Sequence, residues 1–242
     1  MKYAIIGDIH ANYEALTAVV EKAASLGVSK FYCIGDIVGY NANPCECIEL
    51  LRTLDVEVVV RGNHDEYACT DTDFAGFNPQ AAWAAEWTRL QITPAHKDWL
   101  RSLPFQQVLG SKLTLVHATL DMPTKWGYVF DKWHAGASMN YQRTPLCFFG
   151  HTHVPIIFHK FGQVFVEEAS SVVLEPAHKY MINAGSVGQP RDGNPRAAFA
   201  VYLPDERRVE LHRVAYDVET CQKKVRQAGL PERLAARLSA GR

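Results

Sequence analysis

The chain has 242 residues, of which 48% are hydrophobic, and this length allows a domain to bury roughly three quarters of its unfolded surface without cross-links. It carries 25 basic and 26 acidic residues, so no overall field favours an anionic membrane or specific nucleic-acid binding. No run approaches the ~20 apolar residues of a membrane span, and the six cysteines are scattered, so we expect a cytoplasmic protein with free thiols.

The first 60 residues alternate strand-type and helix-type patterns. Apolar runs at 2–6, 30–34 and 57–60 predict buried strands, and helical spacing of apolar residues predicts helices at 12–26 and 44–54. This β-α-β-α-β order predicts parallel strands, right-handed crossovers and helices on the faces of the sheet.

A helical segment at about 70–104 interrupts this alternation. One helix is predicted at 79–89 and a second begins at Pro94. The spacing of Trp83 and Trp87 along the first helix favours core packing over stacking on a nucleobase. We expect this segment to be an insert over the sheet edge, within a single domain of residues 1–242.

The remaining chain is rich in strand patterns. Runs at 112–116 and 146–149 lead to His117 and Gly150, and a tail at 218–238 predicts one or two helices. Short runs suited to antiparallel pairing follow Gly150 at 156–161, 164–168, 180–183, 197–202 and 208–214. An α/β fold with two sheets packed face to face and helices outside is therefore expected.

Side chains that ligate metals lie in turns directly after five of these apolar runs. The seven are Asp8, His10, Asp36, Asn63, His117, His151 and His153. Nitrogen and oxygen ligands without a thiolate suit Mn, Fe, Zn, Co or Ni, and seven ligands exceed the needs of one ion. We therefore expect two divalent metal ions, bridged by the Asp36 carboxylate.

Their spacing supports paired ligation. If the segments are extended, Asp8 and His10 point to the same side, as do His151 and His153. The alternative is ordinary turn chemistry, in which Asp8 or Asn12 caps a helix.

These blocks, taken in order, resemble those of the calcineurin-like metallophosphoesterases, and most closely the small bacterial phosphodiesterases of that group. The matching blocks are Asp8-x-His10, Gly35-Asp36, Gly62-Asn63-His64-Asp65, His117 and Gly150-His151-Thr152-His153. The resemblance extends from residue 5 to about residue 155. It implies a four-layer α/β/β/α sandwich of two mixed β-sheets flanked by helices.

The resemblance also implies roles for individual residues. It assigns one metal to Asp8, His10, Asp36 and His153, and the other to Asp36, Asn63, His117 and His151. A metal-bridging hydroxide is then the attacking group, with manganese as the first expected metal. His64 is the implied proton donor to the leaving group and Asp65 its orienting partner, whereas the alternative gives His64 a structural role.

A second distinctive stretch is the glycine-rich segment 183–193. Small residues such as Gly185 and Ser186 allow backbone N–H groups to approach an anion, and Arg191 has the geometry to bind a phosphate. Together with Asn63, these residues are candidates for substrate binding. In the alternative, the glycines serve the turns and Arg191 pairs with Asp192.

Departures from the family pattern weigh against two classes of enzyme within the family. Protein phosphatases and symmetrical diadenosine tetraphosphatases of the family usually follow Gly-Asp with Asp-Arg-Gly, whereas this chain continues from Asp36 with Ile37-Val38-Gly39-Tyr40. Few basic residues and an aromatic insert suit a phosphodiester, which carries one charge and a second organic group. We therefore expect a phosphodiesterase that hydrolyses small nucleotide-type or related phosphodiesters.

Three alternatives stay open: a phosphomonoesterase, a protein phosphatase on the same centre, and a non-catalytic metal-binding scaffold like the retromer scaffold subunit. The complete ligand set weighs against the scaffold. The expected partner is a small-molecule phosphoester, and the sequence leaves homo-oligomer formation open.

Overall fold

The computed structural model describes residues 1–74 and 78–242. The strands within these residues are, in chain order, β1 (Tyr3–Ile6), β2 (Lys30–Cys33), β3 (Val56–Val59), β4 (Gln106–Leu109), β5 (Leu113–Val116), β6 (Leu146–Phe149), β7 (Ile156–Phe161), β8 (Gln163–Glu167), β9 (Ser171–Val173), β10 (Lys179–Asn183), β11 (Ala197–Leu203) and β12 (Arg208–Val214). They form two six-stranded sheets, in the orders β3-β2-β1-β11-β12-β9 and β4-β5-β6-β10-β7-β8.

Parallel pairing at the centre of each sheet brings the ligand-bearing turns to one edge. In the first sheet β1, β2 and β3 are parallel, as predicted, and β11 runs antiparallel to β1. In the second sheet β6 is parallel to both β5 and β10. The turns after β1, β2, β5 and β6 therefore leave the carboxyl ends of parallel strands, where ligands bind in open α/β sheets.

Helices cover the outer faces of both sheets. In chain order they are α1 (Tyr13–Ser25), α2 (Pro44–Thr53), α3 (Asn63–Cys69), α4 (Pro79–Gln91), α5 (Pro94–Ser102), α6 (Lys132–Met139), α7 (Val218–Gln227) and α8 (Glu232–Ala240). Asn12 caps α1, because its side-chain oxygen accepts a hydrogen bond from the Ala15 N–H at 3.1 Å. Among the described residues, every helix is too short or too polar to cross a lipid bilayer.

The buried apolar side chains form separate clusters, one between the two sheets and others between a sheet and its helices. Ile5, Leu115 and Phe148 belong to a buried cluster between the two sheets. Leu16 belongs to a cluster under α1 and α2, and Met139 to one under α6. Burying each such side chain stabilises the fold by ~1.5–3 kcal/mol. The predicted four-layer arrangement of two mixed sheets flanked by helices is confirmed.

Some local predictions differ from the structure. Strands β4 and β9 and helices α3 and α6 were not expected, because each is short and lacks a clear apolar period. Trp83 is 57% exposed, so its predicted core packing was wrong, whereas Trp87 packs partly against the cluster formed with α7 and α8. Helices α4 and α5 lie in the predicted insert at about 70–104, of which residues 75–77 lie outside the described residues.

Candidate metal centre

Six of the seven predicted ligands converge into two groups that share one residue. Ligand atoms of Asp8, His10, Asp36 and His153 lie within 4.8 Å of one another, and so do those of Asp36, His117 and His151. The seventh, Asn63, places its Oδ1 3.2 Å from His117 Nε2. These ligand residues are all buried. The first group contains the same four residues as one expected ligand set, and the second contains three of the four residues of the other.

The carboxylate of Asp36 is oriented for bridging. Its Oδ1 accepts a hydrogen bond from the backbone N–H of His64 at 2.8 Å. Its Oδ2 lies 3.6 Å from His10 Nε2 and 3.3 Å from His117 Nε2. Within the part of the chain that the structure describes, Oδ2 is buried without a hydrogen-bond partner. A buried carboxylate oxygen left unpaired is costly, and a cation on each side of it would satisfy it.

The histidines are held in tautomers that leave one nitrogen free for a metal. The Nδ1 atoms of His10, His117 and His153 face the backbone carbonyls of Val38, Ile34 and Gln189 at 3.2, 2.8 and 2.7 Å. Because a carbonyl only accepts, each Nδ1 carries a proton, so Nε2 is the nitrogen of each ring that can ligate a metal, in His117 after loss of its second proton.

His151 has the opposite arrangement. Its Nε2 donates to the Trp126 carbonyl at 3.0 Å, which leaves Nδ1 as the ligand atom. In the first group, the lone pairs of His10 Nε2 and His153 Nε2 face each other at 3.0 Å. Two facing lone pairs repel unless a cation lies between them. The donor set therefore fits divalent metal ions with nitrogen and oxygen ligands.

The backbone at the ligand positions differs from the extended segments that were expected. Asp8 and His10 have φ values of 48° and 49°, and Asp36 has 52°. His151 and His153 have φ values of 70° and 61°. These left-handed conformations are uncommon for residues other than glycine. The paired ligands meet because the chain turns tightly after each strand, so the pleat argument from their spacing was wrong.

Two glycines are needed because the turns approach each other closely. A Cβ at Gly62 would lie 2.1 Å from Asp36 Oδ1, and one at Gly150 would lie 2.6 Å from Asp8 Oδ2. Neither contact is tolerable for a side chain. Both glycines thus leave room for a ligand carboxylate from a neighbouring turn.

Burial and the charges of neighbouring groups shift the pKa values of the two aspartates. Burial raises the pKa of Asp8 to about 7. Burial alone would raise the pKa of Asp36 as well, but the neighbouring imidazoles, His117 above all, hold it well below its usual range. Burial opposes the charge on His117, yet Asp36 raises the pKa of this imidazole to about 9. A metal ion would take the place of that proton as the counter-charge to Asp36.

The other imidazoles are neutral at physiological pH. Burial lowers the pKa of His10 and of His153 well below the usual value. Burial likewise lowers the pKa of His151 to about 3. Because a neutral imidazole is the form that ligates metals, three of the four histidine ligands need no deprotonation before binding.

His64 lies beside the two groups, at the start of α3. Its ring centroid is 4.9 Å from that of His10 and 4.4 Å from that of Tyr40, and it lines the cavity over the centre. Burial lowers its pKa to about 4. This position suits a group that exchanges a proton with a substrate rather than one that ligates a metal.

Asp65 contacts its neighbours through their backbone N–H groups. Its carboxylate accepts hydrogen bonds from the backbone N–H groups of Gly62 at 3.0 Å, Ile37 at 2.8 Å and Val38 at 3.2 Å. These contacts join the turn after β2 to the start of α3. Asp65 therefore holds Asp36 and His64 in position through the backbone, rather than acting on substrate.

A cavity of about 320 Å³ opens over both ligand groups. Its lining includes Asp36, Asn63, His64, His151 and His153, together with Arg191, Lys125 and the aromatic rings of Tyr40, Trp126 and Tyr128. Arg191 donates from Nη2 to Gln189 Oε1 at 3.0 Å and to the Tyr40 hydroxyl at 3.3 Å. Asp192 pairs with Arg213 instead, so the expected alternative of an Arg191–Asp192 pair was wrong.

The other two substrate-binding candidates of this segment lie behind the metal centre. The N–H of Gly185 donates to Asn183 Oδ1 at 2.8 Å. The hydroxyl of Ser186 donates to the Asp8 carbonyl at 2.7 Å and accepts from the Gln189 N–H at 2.8 Å, and its side chain is fully buried. Their assignment to substrate contact is corrected: Ser186 supports the turn that carries Asp8, and Gly185 forms the turn after β10 with Asn183.

Sequence reasoning missed several residues that shape the site. Trp126 supplies the carbonyl that orients His151, and Gln189 supplies the one that orients His153. Tyr40 packs against His10 at a centroid distance of 4.6 Å and contacts Arg191. A sequence does not show which backbone carbonyl will accept a hydrogen bond from a given histidine. Tyr40 follows Gly39 in the loop that departs from the family pattern, which was the available signal.

Comparison with known proteins agrees with this geometry. The sequence profile described as the calcineurin-like phosphoesterase superfamily domain matches residues 1–206. An uncharacterized protein of Methanocaldococcus jannaschii is 38% identical over 242 residues, which are 99% of this chain and 98% of the relative. A symmetrical bis(5'-nucleosyl)-tetraphosphatase of Cronobacter sakazakii is 30% identical over 129 residues, 50% of this chain and 45% of the relative.

Two solved structures superimpose on the whole fold. A metallophosphoesterase from Sphaerobacter thermophilus is 39% identical, with a TM-score of 0.88 and coverage of 100% of this chain and 99% of its own. A hypothetical protein from Pyrococcus horikoshii is 21% identical with a TM-score of 0.82, covering 100% of this chain and 98% of its own, and shares the fold.

Proposed function

This chain belongs to the calcineurin-like phosphoesterase superfamily, and we propose that it is a phosphodiesterase with a dinuclear metal centre that hydrolyses small nucleotide-type phosphodiesters. The observation that most directly supports a dinuclear centre is the position of Asp36 Oδ2. Asp36 belongs to both ligand groups, and this buried oxygen lies within 3.6 Å of an imidazole nitrogen of each.

Different residues of the chain would hold the metals, donate to the leaving group and bind the phosphate. Asp8, His10, Asp36 and His153 would hold one ion, and Asp36, Asn63, His117 and His151 the other, with manganese as the expected metal. When bound, two divalent ions supply Lewis acidity and lower the pKa of water towards neutrality. His64, whose lowered pKa leaves it neutral near pH 7, would present its ring N–H to the departing oxygen from its place in the cavity wall, and Arg191 would bind phosphate oxygens.

The cavity favours a diester over a monoester. Its lining combines Arg191 and Lys125 with four aromatic rings, those of Tyr40, Tyr67, Trp126 and Tyr128. A diester has one negative charge and an additional organic group, so it needs fewer cations and more apolar surface than a dianionic monoester. A volume of about 320 Å³ accommodates a small molecule. These features also weigh against a folded phosphoprotein as substrate.

We expect the purified protein to hydrolyse bis(p-nitrophenyl) phosphate with higher kcat/KM than p-nitrophenyl phosphate when Mn²⁺ is added. Removal of metal by a chelator should abolish the activity, because the buried ligands have no other source of Lewis acidity. Re-addition of Mn²⁺ should restore it. Metal content is measured in parallel by mass spectrometry, and about two ions per chain are expected.

The outcomes separate the candidate functions. Faster turnover of the monoester would identify a phosphomonoesterase and contradict the diester proposal. Full metal loading without turnover of either compound, under any divalent metal tested, would identify a non-catalytic metal-binding scaffold.

Arg191→Ala is expected to lower kcat/KM for the diester by about 10- to 100-fold, since a hydrogen bond from a charged group contributes ~1.5–3 kcal/mol. Steady-state kinetics on the manganese-loaded protein measure the effect. Arg196→Ala is the matched control: it removes an exposed guanidinium from the same loop, where it contacts Asn194. Equal effects of the two substitutions would contradict phosphate binding by Arg191.

A further inference from the structure

A row of aromatic rings extends outward from the metal centre. The Tyr128 ring stacks on the imidazole of His151, with centroids 4.1 Å apart and planes inclined by 22°. The Phe130 ring stacks in turn on Tyr128, at 5.0 Å and 6°. Trp126 lies edge-on to His117 at 6.0 Å. We call Trp126, Tyr128 and Phe130 the aromatic row.

The outer rings of the aromatic row are exposed to solvent. Tyr128 is 45% exposed and Phe130 is 61% exposed. The inner members, Trp126 and Tyr128, line the cavity over the ligand groups. Apolar surface that is both exposed and continuous with a polar site is typical of ligand binding. The exposed aromatic surface therefore extends from the cavity lining to Phe130.

The backbone fixes the aromatic row relative to the metal centre. Trp126 has a left-handed φ of 56°, and its carbonyl accepts the hydrogen bond from His151 Nε2 at 3.0 Å. One segment therefore orients a metal ligand and presents the rings at a fixed distance from it. A rigid aromatic surface binds planar groups with little loss of conformational entropy.

We infer that the aromatic row is a stacking subsite for a planar, nucleobase-type ring on one organic group of the phosphodiester. The inference rests on the proposed function and specifies its substrate class. His151 and Phe130 stack on the two faces of Tyr128, so the open stacking face of the row is the outer face of Phe130. With the phosphate between Asp36, His64 and Arg191, the organic group on the His151 side passes the edge of Tyr128 towards that face. Stacking there tolerates any base, because every base has a π face. Lys125, which also lines the cavity, adds a cation beside Trp126 for an anionic nucleotide.

The test compares two diesters with the same leaving group and the same charge: thymidine 5′-(p-nitrophenyl) phosphate and methyl p-nitrophenyl phosphate. The protein should prefer the thymidine ester. In Phe130→Ala, the ratio of kcat/KM for thymidine ester to methyl ester should fall by about 5- to 150-fold, the range of a lost base–aromatic stack. Calorimetric binding of thymidine 5′-phosphate should weaken by a similar factor.

Phe161→Ala is the matched control, since Phe161 is also 61% exposed but lies at the end of β7. It should leave both the ratio and the binding of thymidine 5′-phosphate unchanged. An unchanged ratio in Phe130→Ala, or an equal fall in Phe161→Ala, would overturn the subsite while leaving the phosphodiesterase proposal intact. Failure of the unmodified protein to hydrolyse either diester would overturn both.

Discussion

Asp36→Asn is expected to remove both metal ions and to lower diester hydrolysis by about 10³- to 10⁵-fold. The magnitude follows from the several kcal/mol that metal ions contribute to transition-state stabilisation. The asparagine oxygen would keep the hydrogen bond from the His64 N–H, which Oδ1 of Asp36 accepts at 2.8 Å. Its amide NH₂ would then occupy the place of Oδ2, where a donor cannot ligate a cation. Metal content and kcat/KM measure the two effects.

His117→Ala is the informative comparison for this substitution. Asp36 belongs to both ligand groups, whereas His117 belongs to one. His117→Ala should therefore lose one ion and retain the ion held by Asp8, His10 and His153. If Asp36→Asn retained as much metal as His117→Ala, the bridging role of Asp36 would be wrong. Thermal unfolding of both variants separates loss of metal from loss of fold.

His64→Ala is expected to retain its metal content while hydrolysis falls by about 10²- to 10⁴-fold, the usual contribution of a general acid. The side chain lies in the cavity wall, outside both ligand groups. Its backbone N–H supports Asp36, and alanine preserves that contact. The loss should shrink for substrates with better leaving groups, because a more acidic leaving group needs less protonation.

His134→Ala provides the control for removal of an imidazole. His134 is exposed, and its ring contacts Asp131 at the start of α6, away from the cavity lining. It should change neither metal content nor rate. Loss of metal in His64→Ala would show that this residue supports the centre rather than the proton transfer.

The convergence of the candidate metal ligands was predictable from the sequence because each follows an apolar run and has a residue type with few other uses there. Asp8, Asp36, His117 and His151 all come from turns at the carboxyl ends of parallel strands. Parallel pairing brings such ends together whatever the local turn geometry. For this reason the two groups formed as expected although the assumption of extended segments failed.

Features that depend on tertiary contacts were not predictable. Gly185 and Ser186 have the composition of an anion-binding loop, yet Asn183 and Asp8 use their polar groups. Trp126 belongs to none of the sequence motifs, and its carbonyl contact with His151 spans 25 residues. Trp83 has the spacing of a core residue, but its side chain is 57% exposed. In each case the partner, not the residue type, determines the role.

The left-handed backbone at five metal ligands has a thermodynamic consequence for the whole protein. Each such residue costs about 1 kcal/mol or more relative to glycine, while the net stability of a domain is only ~5–15 kcal/mol. The chain thus folds at a local cost in stability that metal binding at the proposed centre would offset. Glycine at Asp8, His10, Asp36, His151 or His153 would relieve local strain while it removed a candidate ligand. A chain without the proposed catalytic function would therefore gain stability by losing these residues, so their retention would depend on selection for that function.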